Sequence, residues 1–297
     1  MMASQVPVSD TGSRSASPTP SSGSAGPAAG QRPRQALANW LSSTGRGSNL
    51  AIKAVSLAVL LTVWQLFSMT QGDLLMPGPL EVAQKLGDVL RQEDFFFHMQ
   101  KTLTRVLVGL GISLVVALAA GVPMGLFRPV ERFLETYVLL GLTIPGLAWA
   151  LIAVMIVGIS DWAAILAIVV TTAPMIVLNM WHGTKSIDTG VLQMANAFGA
   201  GRWLAVRHVV LPQLLPFLLA GTRLGLALAW KIVVLSEMFG LSNGIGYQLN
   251  TNFTRYSLSG VLAWTLAFTI VMAGIEFLVL QPLERRMTRW RPSVQGV

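Results

Sequence analysis

Polar and apolar residues are sorted into long blocks along this chain. The first 49 residues hold no apolar run, whereas from Leu50 onward apolar stretches follow one another with short polar interruptions. Crossing a bilayer takes about 20 apolar residues at a rise of 1.5 Å each. Six stretches meet that length: Leu50–Met69, Thr102–Leu126, Leu134–Val157, Trp162–Trp181, Leu211–Leu235 and Leu258–Leu280. A membrane barrel would alternate with a period of two. Runs such as GISLVVALAAG and LAIVVTTAPMIVL are continuous, so the pattern predicts helices and an all-α integral membrane protein with six spans.

Two further segments are amphipathic. In residues 77–93, Ala83, Leu86 and Leu90 share a helical face, with Val82 and Val89 beside it. Glu81 and Lys85 pair at i,i+4 on the other face. This predicts a short helix lying on the membrane surface or packed on the bundle. In the loop 182–210, Val191, Met194, Ala195 and Phe198 fall at i, i+3, i+4 and i+7. Gly199-Ala200-Gly201 then ends the helix, since glycine tolerates the positive φ of a helix stop. A second short helix follows, with Trp203, Val206 and Val210 on one side and Arg202, Arg207 and His208 at polar positions. Leu211-Pro212 opens the fifth span, with proline in the first turn. The result is an elbow with an apolar stripe that the bilayer does not cover. Such a stripe either docks a partner or folds back on its own bundle.

Charge adds orientation. Of 297 residues only 11% are charged, and Lys+Arg outnumber Asp+Glu by 21 to 13. With the N-terminus inside, the inner segments carry 13 basic residues: Arg14, Arg32, Arg34, Arg46, Arg128, Arg132, Lys185, Arg202, Arg207, Arg285, Arg286, Arg289 and Arg291. The outer segments carry Lys85, Arg91, Lys101 and Arg255. The positive-inside rule therefore places both termini in the cytoplasm. The same asymmetry assigns the excess charge to a membrane face rather than to nucleic acid. The Ser-, Pro- and Gly-rich residues 1–49 are expected to be a disordered cytoplasmic tail, residues 50–290 the membrane domain and 291–297 a C-terminal tail. An acid-poor start of this kind also fits an organelle transit peptide; a secretory signal is not expected, because the first apolar run starts only near Leu50.

Charges inside spans are candidates for function. Arg223 and Lys231 lie eight residues apart in the fifth span, about 80° apart around a helix. Both could face one pathway and favour an anion. Trp230 beside them is a further candidate. Arg105 and Glu276 suit either snorkelling or pairing with another span, and Glu237 begins the outer loop as a solvated or lysine-paired carboxylate or a pathway contact. Pro145 and Pro174 interrupt the third and fourth spans, which makes Thr143–Gly146 a candidate bend or gate. Gly121 with Gly125 and Gly221 with Gly225 are spaced for close helix contact. Cysteine is absent and the histidines (His98, His182, His208) are dispersed, so neither a disulfide nor a metal site is expected. The chain has no phosphate-binding Gly-x-x-x-x-Gly-Lys-Ser/Thr loop and no catalytic constellation, so no cofactor and no enzyme activity are expected.

The elbow resembles the EAA signature of ABC-importer permease subunits: Glu-Ala-Ala, three residues, Gly, nine residues, an aliphatic, one residue, Leu-Pro. Here the match runs Gln193-Met194-Ala195, Gly199, Val209, Leu211-Pro212, with Gln193 and Met194 in place of Glu and Ala. LLMPGP (74–79), residues 102–126 and residues 220–249 are similar to the nitrate, sulfonate and taurine subgroup. This resemblance implies a type I permease fold in a bacterial inner membrane. It implies a homodimer, two cytoplasmic ATPase subunits and an extracytoplasmic binding protein. Gln193, Ala195, Phe198, Gly199, Arg202, Leu211 and Pro212 would then form the ATPase-coupling region, with Ala195, Phe198 and Gly199 at the contact. Arg223, Trp230, Lys231, Pro145 and Glu237 would be candidates for the translocation pathway. A gradient-driven secondary transporter or channel for a small anion is the alternative; such proteins commonly carry internal repeats, and no convincing repeat is found here.

Overall fold

The computed structural model describes residues 46–71, 76–282 and 286. The predicted tails lie outside the described residues, apart from Arg46–Asn49, which already belong to helix α1 (Arg46–Gln71). The chain divides into two compact units within this helix, between Leu61 and Thr62. The first unit contributes the apolar α1 residues up to Leu61. In the second, the last turns of α1 bond to the segment that follows: Trp64 Nε1 donates to the Pro77 carbonyl and Ser68 Oγ to the Met76 carbonyl, at 3.2 and 2.7 Å.

The second unit continues with α2 (Pro79–Arg91), α3 (Asp94–Leu126), α4 (Arg128–Thr143), α5 (Gly146–Val157), α6 (Asp161–Lys185), α7 (Thr189–Ala197), α8 (Arg202–Ala205), α9 (Leu211–Gly240), α10 (Ile245–Thr254) and α11 (Leu258–Ile275). The described residues contain no strand. Five helical stretches are long and apolar enough to cross a membrane, and α4 with α5 makes a sixth if the bent pair is taken as one span. The third predicted span is therefore not a straight helix. Its two halves meet at 100°, with Pro145 as the residue that precedes α5. Proline at that point has no N–H to continue the ladder from α4.

The spans are also longer than the apolar runs. α3 begins at Asp94 rather than Thr102, which puts His98 and Lys101 on the helix. The predicted second helix of the elbow is continuous with the fifth span, because Arg202–Gly240 forms one helical stretch of 39 residues. Pro212 stands in the first turn of α9, as the spacing predicts, and at the same time inside this longer stretch. The ladder accommodates it with a π-helical turn at Val206–Val210, after which the Leu211 N–H reaches back five residues to the Val206 carbonyl.

α6 is the centre of the unit, and its sides are packed by α3 and α9. The glycine pairs make this approach possible. A Cβ on Gly125 would lie 2.3 Å from Thr184 Cβ, and one on Gly121 would lie 2.6 Å from Met180 Cβ. On the other side, a Cβ on Gly225 would lie 2.7 Å from Ile176 Cδ1. The core between them is built from Val106, Ala117, Met124, Ile168, Ile176, Val177 and Val233.

α2 packs on the bundle. Val82 and Val89 are buried and Leu86 half-buried; Val89 and Leu86 join a second cluster that includes Phe95, Met99, Ile245 and Trp264. The packed face is thus Val82, Leu86 and Val89 at i, i+4 and i+7; Ala83 and Leu90 point outward.

Enlarging a glycine at the α3–α6 seam must push the helices away from each other. Gly125→Leu is expected to destabilise the protein by about 1–3 kcal/mol. Gly111→Leu, at a position with open space around the glycine, is expected to be near neutral. Thermal midpoints of the two purified variants check this.

Candidate coupling elbow and charged pathway

At the end of the bundle where α6 finishes, Asp188 caps α7: its Oδ1 accepts from the N–H groups of Gly190 and Val191 at 2.8 and 3.4 Å. The Asp188 N–H donates to Gln213 Oε1 at 2.9 Å, which ties the start of the elbow to α9. α7 ends as the glycine spacing predicts. Gly199 has φ +73°, and the Ala200 N–H reaches the Ala195 carbonyl at 3.0 Å, the six-to-one bond that accompanies a left-handed glycine stop. Lys185 closes this end, 2.5 Å from Glu131 of α4 and 4.8 Å from the centre of the Trp181 ring.

Among the described residues, the apolar stripe of the elbow is left largely uncovered. Phe198 is 85% exposed, Trp203 74% and Met194 56%. Gln193, Gly199, Arg202 and Leu211 are exposed as well, while Ala195 and Pro212 are half-buried. This arrangement offers a partner two large aromatic surfaces around a rigid glycine turn.

Of the pathway candidates, Arg223 is tied to Glu276 at the end of α11, with 2.5 Å between Nη2 and Oε1. Trp230 stands edge-on to Phe268 at 5.9 Å. It lines a cleft of about 250 Å³ between α9 and α11, with Leu226, Thr269 and Glu276. Lys231 is exposed on the same helix, and Pro145 is exposed at the α4–α5 bend.

Glu237 is placed differently from the sequence expectation. It is neither solvated nor lysine-paired nor at the start of a loop: it lies within α9 and is completely buried. Arg105 of α3 donates through Nη1 to Glu237 Oε1 at 2.6 Å. The Gly246 N–H donates to Glu237 Oε2 and the Thr102 hydroxyl lies 2.9 Å from both carboxylate oxygens. Arg105 also binds Asp161 at the start of α6, through Nη2 at 2.5 Å and Nε at 3.1 Å. Asp161 takes a second cation, Lys101, at 3.4 Å. Arg105 completes its bonds on Asn243, through the backbone carbonyl at 3.0 Å and the side-chain oxygen.

The loop that follows α9 is sewn onto this cluster. The Gly244 N–H donates to His98 Nδ1 at 3.0 Å and the Ile245 N–H to Thr102 Oγ1 at 2.9 Å. Gly244 has φ +110°, and a Cβ there would lie 2.3 Å from Glu237 Cδ. Glycine is needed on both counts. The cost of a charge within a span marks Arg105 in the sequence, but its partners stand 56 and 132 residues away. The Asn243-Gly244 pair signals a turn, and nothing in that signal says what lies beneath it.

A family model described as "Binding-protein-dependent transport system inner membrane component" matches residues 109–289. The chain is 30% identical to the taurine transport system permease protein TauC of Escherichia coli (strain K12), covering 81% of this chain and 90% of that protein. It is 28% identical to the putative aliphatic sulfonates transport permease protein SsuC of the same organism, covering 79% and 89%. Among solved structures, a chain of the MetNI methionine ABC transporter in an inward-facing conformation superposes with a TM-score of 0.57 at 22% identity. That match covers 67% of this chain and all of the other, and shows the shared fold.

A buried ion pair that loses one partner leaves the other charge uncompensated, at a cost of about 3–5 kcal/mol. Arg105→Met is expected to lower the thermal midpoint strongly. Adding Glu237→Gln to that variant is expected to restore some of the loss. Simple additivity of the two substitutions would show that the pair is not coupled.

Proposed function

The chain belongs to the family of binding-protein-dependent transport system inner membrane components, and from that premise we propose how this permease works. As the membrane subunit of an ABC importer it pairs with a second copy of itself and receives a small anion, such as a sulfonate or nitrate, from an extracytoplasmic binding protein. The TauC and SsuC relatives support that cargo class. ATP is hydrolysed on a separate ATPase dimer at the elbow face. Both termini lie on that cytoplasmic side, in keeping with the distribution of Lys and Arg.

The single observation that carries the coupling role is the exposed stripe around Gly199. An apolar surface of this kind, outside the membrane and held by an Asp188 cap and a left-handed glycine, suits insertion into a partner's cleft. Closure of the ATPases on ATP would draw two such elbows together and bias the spans between two arrangements. Arg202–Gly240 is one helical stretch, so movement of the elbow is passed directly to the helix that carries Arg223, Trp230 and Lys231. There Arg223 and Lys231 supply the positive charge that an anion needs. Glu276 holds Arg223 until a passing anion competes for it.

Two experiments test this reading, using the permease reconstituted with its ATPase and binding protein. Gly199 has room for a side chain but not the backbone for one. Gly199→Val is expected to leave the protein in the membrane and ATP hydrolysis running while uptake falls at least about tenfold. Gly199→Asn, which tolerates positive φ, is expected to retain most uptake. Normal uptake by Gly199→Val would remove the elbow from coupling. Arg223→Gln with Lys231→Gln is expected to slow uptake of taurine or nitrate; an unchanged rate would remove both residues from the pathway.

A further inference from the structure

The elbow end of the bundle carries a furrow that the transport mechanism does not use. Its deeper level is an apolar groove of about 510 Å³, lined by Val116 and Ala120 of α3, Val138 and Gly141 of α4, and Ala173 and Val177 of α6. Its outer level is a polar cleft of about 570 Å³, lined by Leu126 of α3, Arg128, Arg132 and Glu135 of α4, and Lys185 of α6. α3, α4 and α6 contribute to both levels, and Trp149 of α5 adds to the groove wall. On α4 the two levels adjoin, since Leu134 lines the groove and Glu135 the cleft, and the lining changes there from apolar to basic.

We propose that this furrow binds an anionic glycerophospholipid, with an acyl chain in the groove and the phosphodiester at Arg128 and Arg132. Both arginines are exposed and make no ion pair among the described residues, whereas Lys185 is already engaged by Glu131. Guanidinium groups bind phosphate oxygens in pairs, with a geometry that an ammonium lacks. With three cations and two carboxylates the cleft keeps a positive excess, and basic clefts between spans are the usual seat of anionic headgroups. A second copy of the chain fits less well: a twofold axis through this patch would oppose two cationic clefts.

The intact protein is purified in detergent and titrated with palmitoyl-oleoyl phosphatidylglycerol or the corresponding phosphatidylcholine, and the retained lipid is counted by native mass spectrometry. The wild type is expected to retain phosphatidylglycerol in preference to phosphatidylcholine. Arg128→Gln with Arg132→Gln is expected to lower that preference at least about tenfold. Val116→Trp, at a half-exposed groove position, is expected to reduce retention of both lipids. Unchanged thermal midpoints show that the variants fold. Equal retention by the wild type and the double variant would overturn the proposal. So would disulfide formation between two copies carrying Tyr137→Cys, which is unambiguous in a chain without native cysteine; that result would make the furrow a self-interface.

Discussion

Arg105 is the residue on which three spans agree. It extends from α3 to the first residue of α6 and to the last turn of α9, and takes the Asn243 carbonyl from the loop beyond. A guanidinium in an apolar bundle is tolerated when its donors are matched by carboxylates and carbonyls around it. Both carboxylates are in turn bonded elsewhere: Glu237 to Gly246 and Thr102, and Asp161 to Lys101. The network therefore fixes one end of the bundle as a unit. It also explains why the loop after α9 contains glycines at 244 and 246, where any side chain would strike Glu237 or the Val234 carbonyl.

The opposite end is built differently. There the elbow is held by local devices: an aspartate cap, a glycine stop and one bond from Asp188 to Gln213. Its large apolar side chains are exposed among the described residues. The bundle is thus knotted at one end and carries exposed apolar side chains at the other. The glycine-lined seams of α6 run between the two ends and hold α3 and α9 at close range.

Residue pattern alone was enough for the all-helical class, the spans, the α2 amphipathic segment, the glycine stop at Gly199 and the close-contact glycine pairs. Each of these depends on neighbours within a few residues or on bulk transfer to lipid, which a linear pattern records. What the pattern left open has another cause. Thr143–Gly146 signalled the break between α4 and α5, but not its angle of 100°. Pro212 signalled the first turn of α9, where it stands, but not the π-helical turn that joins α9 to the elbow. On α2 the face that packs was decided by Phe95 and Trp264, which lie on other helices.

By itself, then, the sequence determined a six-stretch helical membrane protein with a basic face and a protruding elbow, because hydropathy and local stereochemistry are properties of adjacent residues. The tertiary structure decided the pairing of its charges. Arg105 found Glu237 across 132 positions, and Arg223 found Glu276 on another helix. Which carboxylate meets which cation depends on how helices stack in three dimensions, and the cost of burying a charge says only that some partner must exist.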